Sequence, residues 1–88
     1  RLTFELVQNY PNPFNSMTTV DYKLAVSGEI NLSVFNTTGQ HLQTLVDGWQ
    51  MAGQYSTVFN GLTLPTGVYI LRLEVEDQSQ MMQLVLLK

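Results

Sequence analysis

Few side chains in this sequence are of a type that does chemistry, and their spacing limits what that chemistry would be. His41 is the only histidine among 88 residues. As a general base it needs a nucleophile and an orienting acid. Nothing in the sequence supplies them, and no Gly-x-Ser-x-Gly elbow is present. A partly exposed strand residue between Gln40 and Leu42 is the plainer reading. Glu74, Glu76 and Asp77 form the one acidic cluster. Alternation puts Glu74 and Glu76 on one face, as a weak calcium site would use them. A calcium loop also requires a glycine and a dense Asp/Asn ladder, which the cluster lacks. A solvated hairpin tip, Glu76-Asp77-Gln78-Ser79, explains it better. No catalytic, cofactor-binding or metal site is expected.

Three further features have a chemical and a structural reading. Asn31-Leu32-Ser33 and Asn36-Thr37-Thr38 fit the glycosylation pattern. Asn31 falls within a strand, and Asn36-Thr37-Thr38-Gly39 reads as a hairpin turn in which Gly39 supplies the positive φ. Trp49, expected in a turn after Asp47-Gly48, is of a type that stacks on sugar rings. The other aromatics (Phe4, Tyr10, Phe14, Tyr22, Phe35, Tyr55, Phe59 and Tyr69) mostly fall on core faces or beside prolines.

Composition narrows the function classes. Hydrophobic residues make up 44% and charged residues 12%, with a formal net charge of −3. A sheet-forming composition of this kind argues against disorder. The cations Arg1, Lys23, Arg72 and Lys88 lie far apart, so no basic stripe exists to track a nucleic-acid backbone. With no cysteine, disulfides and thiolate metal sites are excluded, and packing alone must hold the fold. No apolar run approaches the roughly 20 residues of a transmembrane helix. The length suits one domain over residues 1–88. The opening shows no signal-peptide pattern and reads as a piece cut from a longer protein.

These residues must be positioned by strands. Turn signals recur at Ser27-Gly28, Thr38-Gly39, Asp47-Gly48, Ala52-Gly53, Asn60-Gly61 and Thr66-Gly67, the rhythm of a β-sandwich. Between them Val20, Tyr22 and Leu24 share a face, as do Ile30, Leu32 and Val34, then Tyr55, Thr57 and Phe59, then Tyr69, Leu71, Leu73 and Val75. Seven strands are expected near 3–8, 18–24, 29–36, 40–46, 54–60, 67–75 and 80–87. The fourth is ambiguous, because Leu42, Leu45 and Val46 fit a helical turn nearly as well. Short connections favour antiparallel neighbours. The apolar content suffices for two inner faces, hence an all-β, immunoglobulin-like antiparallel sandwich. Pro11 and Pro13 deny helix to Tyr10 and Asn12. The segment there is expected to be extended, with Tyr10 and Phe14 plugging the open end of the sandwich. Asn9, Asn12 and Asn15 would satisfy the backbone groups of such a loop.

Taken in order, these blocks resemble a known family. Tyr10-Pro11-Asn12-Pro13-Phe14-Asn15 is followed by a Thr-rich strand, Thr18–Leu24, and by Val34-Phe35-Asn36-Thr37-Thr38-Gly39-Gln40. Then come Ala52-Gly53-Gln54-Tyr55, Asn60-Gly61, Leu64-Pro65-Thr66-Gly67-Val68-Tyr69 and the ending Leu84-Val85-Leu86-Leu87-Lys88. The chain is similar along its whole length to the type A C-terminal sorting domain of the type IX secretion system. It is more loosely similar to the immunoglobulin-like domain of the flagellar hook-capping protein. Ser16 stands where proline is common, Phe59 where tryptophan is common, and Met81-Met82-Gln83 replaces a Lys-rich approach to the last strand.

The resemblance implies a passenger-borne export signal of Bacteroidetes-type bacteria, behind an N-terminal cargo domain. The cargo would cross the inner membrane by its own signal peptide and fold in the periplasm. The outer-membrane translocon would then recognise the domain, a sortase-like protein would process it, and the cargo would reach the cell surface or the medium. The terminal strand, through Met81, Met82, Leu84, Val85, Leu86, Leu87 and Lys88, is the expected docking element, since an edge strand offers backbone pairing. Tyr10–Asn15, Gly39, Gly53, Tyr55, Gly67 and Tyr69 are expected to shape the fold. The alternatives are an accessory carbohydrate-binding module acting through Trp49, or a spacer.

Overall fold

A computed structural model describes residues 3–88; Arg1 lies outside the described residues. Seven strands follow in order: β1 (Phe4–Tyr10), β2 (Met17–Leu24), β3 (Gly28–Phe35), β4 (His41–Gln50), β5 (Gly53–Asn60), β6 (Gly67–Val75) and β7 (Gln78–Leu86). They form a three-stranded sheet, β1-β2-β5, and a four-stranded sheet, β4-β3-β6-β7, with every strand pair antiparallel. This is the expected sandwich. In the constant-type immunoglobulin arrangement the fourth strand joins the sheet of the first, second and fifth. Here β4 pairs with β3 instead.

Alternation along the strands builds the core. Val20, Tyr22 and Leu24 of β2 face Ile30, Leu32 and Val34 of β3 and Leu71, Leu73 and Val75 of β6, all buried. Phe59, Leu84 and Leu86 complete it at 0% exposure. Each such side chain contributes about 1.5–3 kcal/mol by leaving water. A tyrosine corner sits at the start of β6. The Tyr69 hydroxyl donates to the Pro65 carbonyl at 2.6 Å, the bond that marks this position in immunoglobulin-like domains.

Two details differ from expectation, both in β4. The strand runs to Gln50, so Asp47-Gly48 is not a turn and Trp49 is a strand residue. Gly48 absorbs a φ of 138° within the ladder, opposite Ile30. The pairing also slips twice, between Leu32 and Ser33 and between Val34 and Phe35. Each slip inserts one unpaired residue on β4, the signature of a β-bulge. Leu42 and Leu45 are those residues, and with Val46 they pack half-buried against the core. The helix-like spacing of these three is therefore alternation reset by bulges.

Candidate functional site

The C-terminal strand lies at a sheet edge, and its local sequence explains why it stays there. Glu76 and Asp77 form the tight turn between β6 and β7, with Glu76 at a φ of 55°. The Glu76 backbone N–H donates to the Glu29 carbonyl at 3.0 Å, and its carboxylate accepts from the Glu29 backbone N–H at 2.7 Å. That carboxylate is thus committed to tying the hairpin to β3. The described residues contain no group of His, Cys, Asp and Glu able to hold a metal ion.

From that turn the register runs unbroken from Val75–Gln78 to Gly67–Leu86. Leu84 and Leu86 point into the core and Met82 packs half-buried against it, whereas Met81 is 65% exposed and Leu87 is also exposed. The expected docking residues are therefore divided by the pleat. Met81, Leu87, Lys88 and, in part, Val85 reach the surface; Met82, Leu84 and Leu86 hold the strand. Lys88 is tethered, donating its ammonium to the Leu62 carbonyl at 2.6 Å and its backbone N–H to Thr66 Oγ1 at 3.0 Å.

The proline segment is fastened to this same strand. Phe14 is 1% exposed and meets Phe59 edge-on, with centroids 5.9 Å apart. It forms a parallel bridge with Leu86, the fold's only one among the described residues. The Phe14 N–H donates to the Val85 carbonyl at 2.9 Å, and the Leu87 N–H donates to the Phe14 carbonyl at 2.8 Å. Asn12 Oδ1 accepts from the Val85 N–H at 3.3 Å. Beneath the loop, buried Asn9 donates to Thr18 Oγ1 at 2.9 Å and to the Pro11 carbonyl at 3.3 Å, and Thr18 donates to the same carbonyl at 2.9 Å. The Tyr10–Pro11 and Asn12–Pro13 peptides are both cis.

The plug is half of what the sequence predicts. Phe14 seals the end, but Tyr10 is 54% exposed, because β1 continues through Tyr10 and pleats its ring outward. Asn9 and Asn12 bond backbone groups as expected, while Asn15 is exposed.

The remaining candidate positions lie in turns and strands. Asn36 Oδ1 accepts from the Thr38 N–H, the Thr38 hydroxyl and the Gln40 N–H at 3.1, 2.7 and 2.9 Å. Gly39 completes that turn with φ 92°. Gly53 (φ 155°) opens β5, and Tyr55 stacks on Tyr22 at 5.3 Å while donating to the Met51 carbonyl. Gly67 opens β6. Burial pushes the Tyr22 phenol above its ordinary pKa, and the neighbouring Tyr55 adds to this against the opposing hydrogen bond to Gln50. His41 is exposed, with Nε2 2.8 Å from Thr44 Oγ1 and its ring edge-on to Phe35. Trp49 stands 60% exposed on β4, paired across the ladder with Glu29.

Sequence reasoning missed two features of this region. Gln80 Oε1 accepts from the Leu6 N–H at 2.7 Å and Gln78 Oε1 accepts from Thr3 Oγ1 at 3.1 Å, so side-chain amides of β7 bridge to β1 and to the residue before it across the sandwich seam. A cleft of about 790 Å³ opens along that seam, lined by Phe4, Leu6, Leu24, Gln80, Met81 and Met82 among others. Only the amide-rich run Gln78–Gln83 hinted at either.

The tie between the Asn-Pro segment and the last strand joins the two most distinctive stretches of the sequence. Comparison with protein families matches residues 8–87 to the secretion system C-terminal sorting domain. The chain belongs to that family. The sorting domain is a C-terminal secretion signal of the type IX secretion system, and a protein bearing it is exported to the cell surface or the extracellular space. Its family role is that of a signal and not of a catalyst. Among the described residues no helix is long and apolar enough to cross a membrane. Comparisons with curated proteins and with solved structures returned no significant match.

Proposed function

We propose that residues 1–88 act as one module behind a cargo, engaged from the periplasm by the outer-membrane translocon and afterwards processed by a sortase-like protein. The module does no chemistry of its own; the translocon reads its folded surface. β7 and its flank, Met81–Lys88, form the surface that is read. The supporting observation is that β7 is an edge strand of the larger sheet with Met81 and Leu87 exposed on it. Such a strand offers both side chains and unpaired backbone to a receptor. Met82, Leu84 and Leu86 keep its register through the core. The Tyr10–Asn15 loop, Gly39, Gly53, Tyr55, Gly67 and Tyr69 maintain the shape in which it is presented.

A periplasm-targeted fluorescent reporter ending in residues 1–88 tests this in a type IX-competent bacterium and its translocon mutant. Surface or medium fluorescence that vanishes in the mutant is the expected result. A reporter retained in the periplasm of both strains would sink the proposal.

A further inference from the structure

In an antiparallel ladder, alternate residues turn both backbone groups toward one neighbour or away from it. Val85 turns both away from β6, to Asn12 Oδ1 and to the Phe14 N–H. The unbroken register carries this rule down the strand, so Gln83, Met81 and Ser79 present their N–H and C=O groups to the same outer edge. The Asn-Pro loop occupies that edge at Val85 and Leu87. Among the described residues no backbone group pairs with it below Gln83.

Exposed edges are ordinarily guarded by charge, proline or bulges. Of the other edge strands, β1 and β4 carry register shifts and β5 pairs without one. The open stretch of β7, Ser79–Gln83, has no charge, no proline and no shift. Beside it lies the seam cleft, whose floor includes the nearly buried Phe4 and Leu24 and the half-buried Met82. An added strand would keep the pleat of the sheet, sending alternate side chains over this cleft.

We infer that the export machinery supplies an extended strand that pairs with β7 over Ser79–Gln83, placing apolar side chains at alternate positions in the cleft of Phe4, Leu6, Leu24 and Met82. This rests on the reading that β7 is the surface the machinery recognises. It also limits that reading, because the Asn12–Phe14 clamp denies backbone pairing to the strand's last residues. A second copy of this chain is a poorer occupant. Its own β7 would arrive with Met82 and Leu84 already committed to its own core, leaving no apolar side chains for the cleft.

The test uses the same reporter. Met81→Pro deletes one outward N–H while sparing the ladder to β6, since proline is tolerated where an edge N–H faces solvent. Met81→Thr removes the same side chain but keeps the N–H. With both variants melting cooperatively, Met81→Pro is expected to export about tenfold less than Met81→Thr, the scale of losing a pairing hydrogen bond. A folded Met81→Pro reporter exported as well as the Met81→Thr reporter would overturn the inference while leaving the sorting role intact. Failure of the parent reporter would instead count against the sorting role itself. Should the proline variant not fold, amide exchange of the parent decides. Exchange at Met81 and Gln83 should slow on outer membranes from competent cells and not on those from the mutant. Equal exchange on both, or slowing that needs only more of the domain, would refute a machinery-derived strand.

Discussion

Phe14 couples the loop to the last strand, and the cost of losing it can be bounded. Its ring is buried against Phe59 and lies beside Gly61 and Leu86. Phe14→Ala should lower stability by about 3–5 kcal/mol, the usual range for truncating a core aromatic, read as a fall in the denaturant midpoint. Gly61 is constrained for the same reason. A Cβ there would stand 3.3 Å from both Phe14 Cε2 and Leu86 Cδ2. Those neighbours are packed, so Gly61→Ala should cost about 1–3 kcal/mol through overpacking, visible in the same titration. Tyr22 governs alkaline behaviour. Its folded pKa is raised above the ordinary value of 10.0, so the neutral phenol favours the folded state. The contribution is fully present below pH 10.0 and is lost as pH rises through the folded value. Stability measured against pH should hold to about pH 10.0 and decline from there until the folded value is passed, less so in Tyr22→Phe.

At the scale of elements, β7 serves the core and the surface at once, and a truncation must separate the two. Removing Met81–Lys88 takes Leu84 and Leu86 out of the core, so the remainder should fail to melt cooperatively, and its lost export would say nothing of recognition. Removing Leu87 and Lys88 alone forfeits an exposed leucine and the hydrogen bonds to Thr66, Leu62 and Phe14. That protein should keep a cooperative transition with a cost of about 1–3 kcal/mol, checked by thermal melting before export is scored. The strands themselves were largely legible. β2, β3 and β6 alternate cleanly because one face of each meets the opposite sheet. β4 was legible as a strand only to residue 46 and with a helical turn fitting nearly as well, because its two bulges reset the period that alternation depends on.

At the scale of the molecule, both distinctive motifs meet at one end of the sandwich, so signal and fold cannot be separated by deleting either. One core of this size is expected to unfold as a unit. The export test therefore needs a folded control at every step. Residue types and their period were enough to determine the strands, the buried faces, the Asn36–Gln40 turn and the membership of a sorting-domain family. These depend on neighbours along the chain and on which side chains avoid water. Tertiary structure alone decided that β4 joins β3, that Tyr10 faces out, that Asn12 and Phe14 clamp Val85 and Leu87, and that the loop leaves Ser79–Gln83 of the β7 edge open. The clamp rests on pairings between residues more than seventy positions apart, such as Asn12 with Val85, and no local period records which backbone a strand edge will meet.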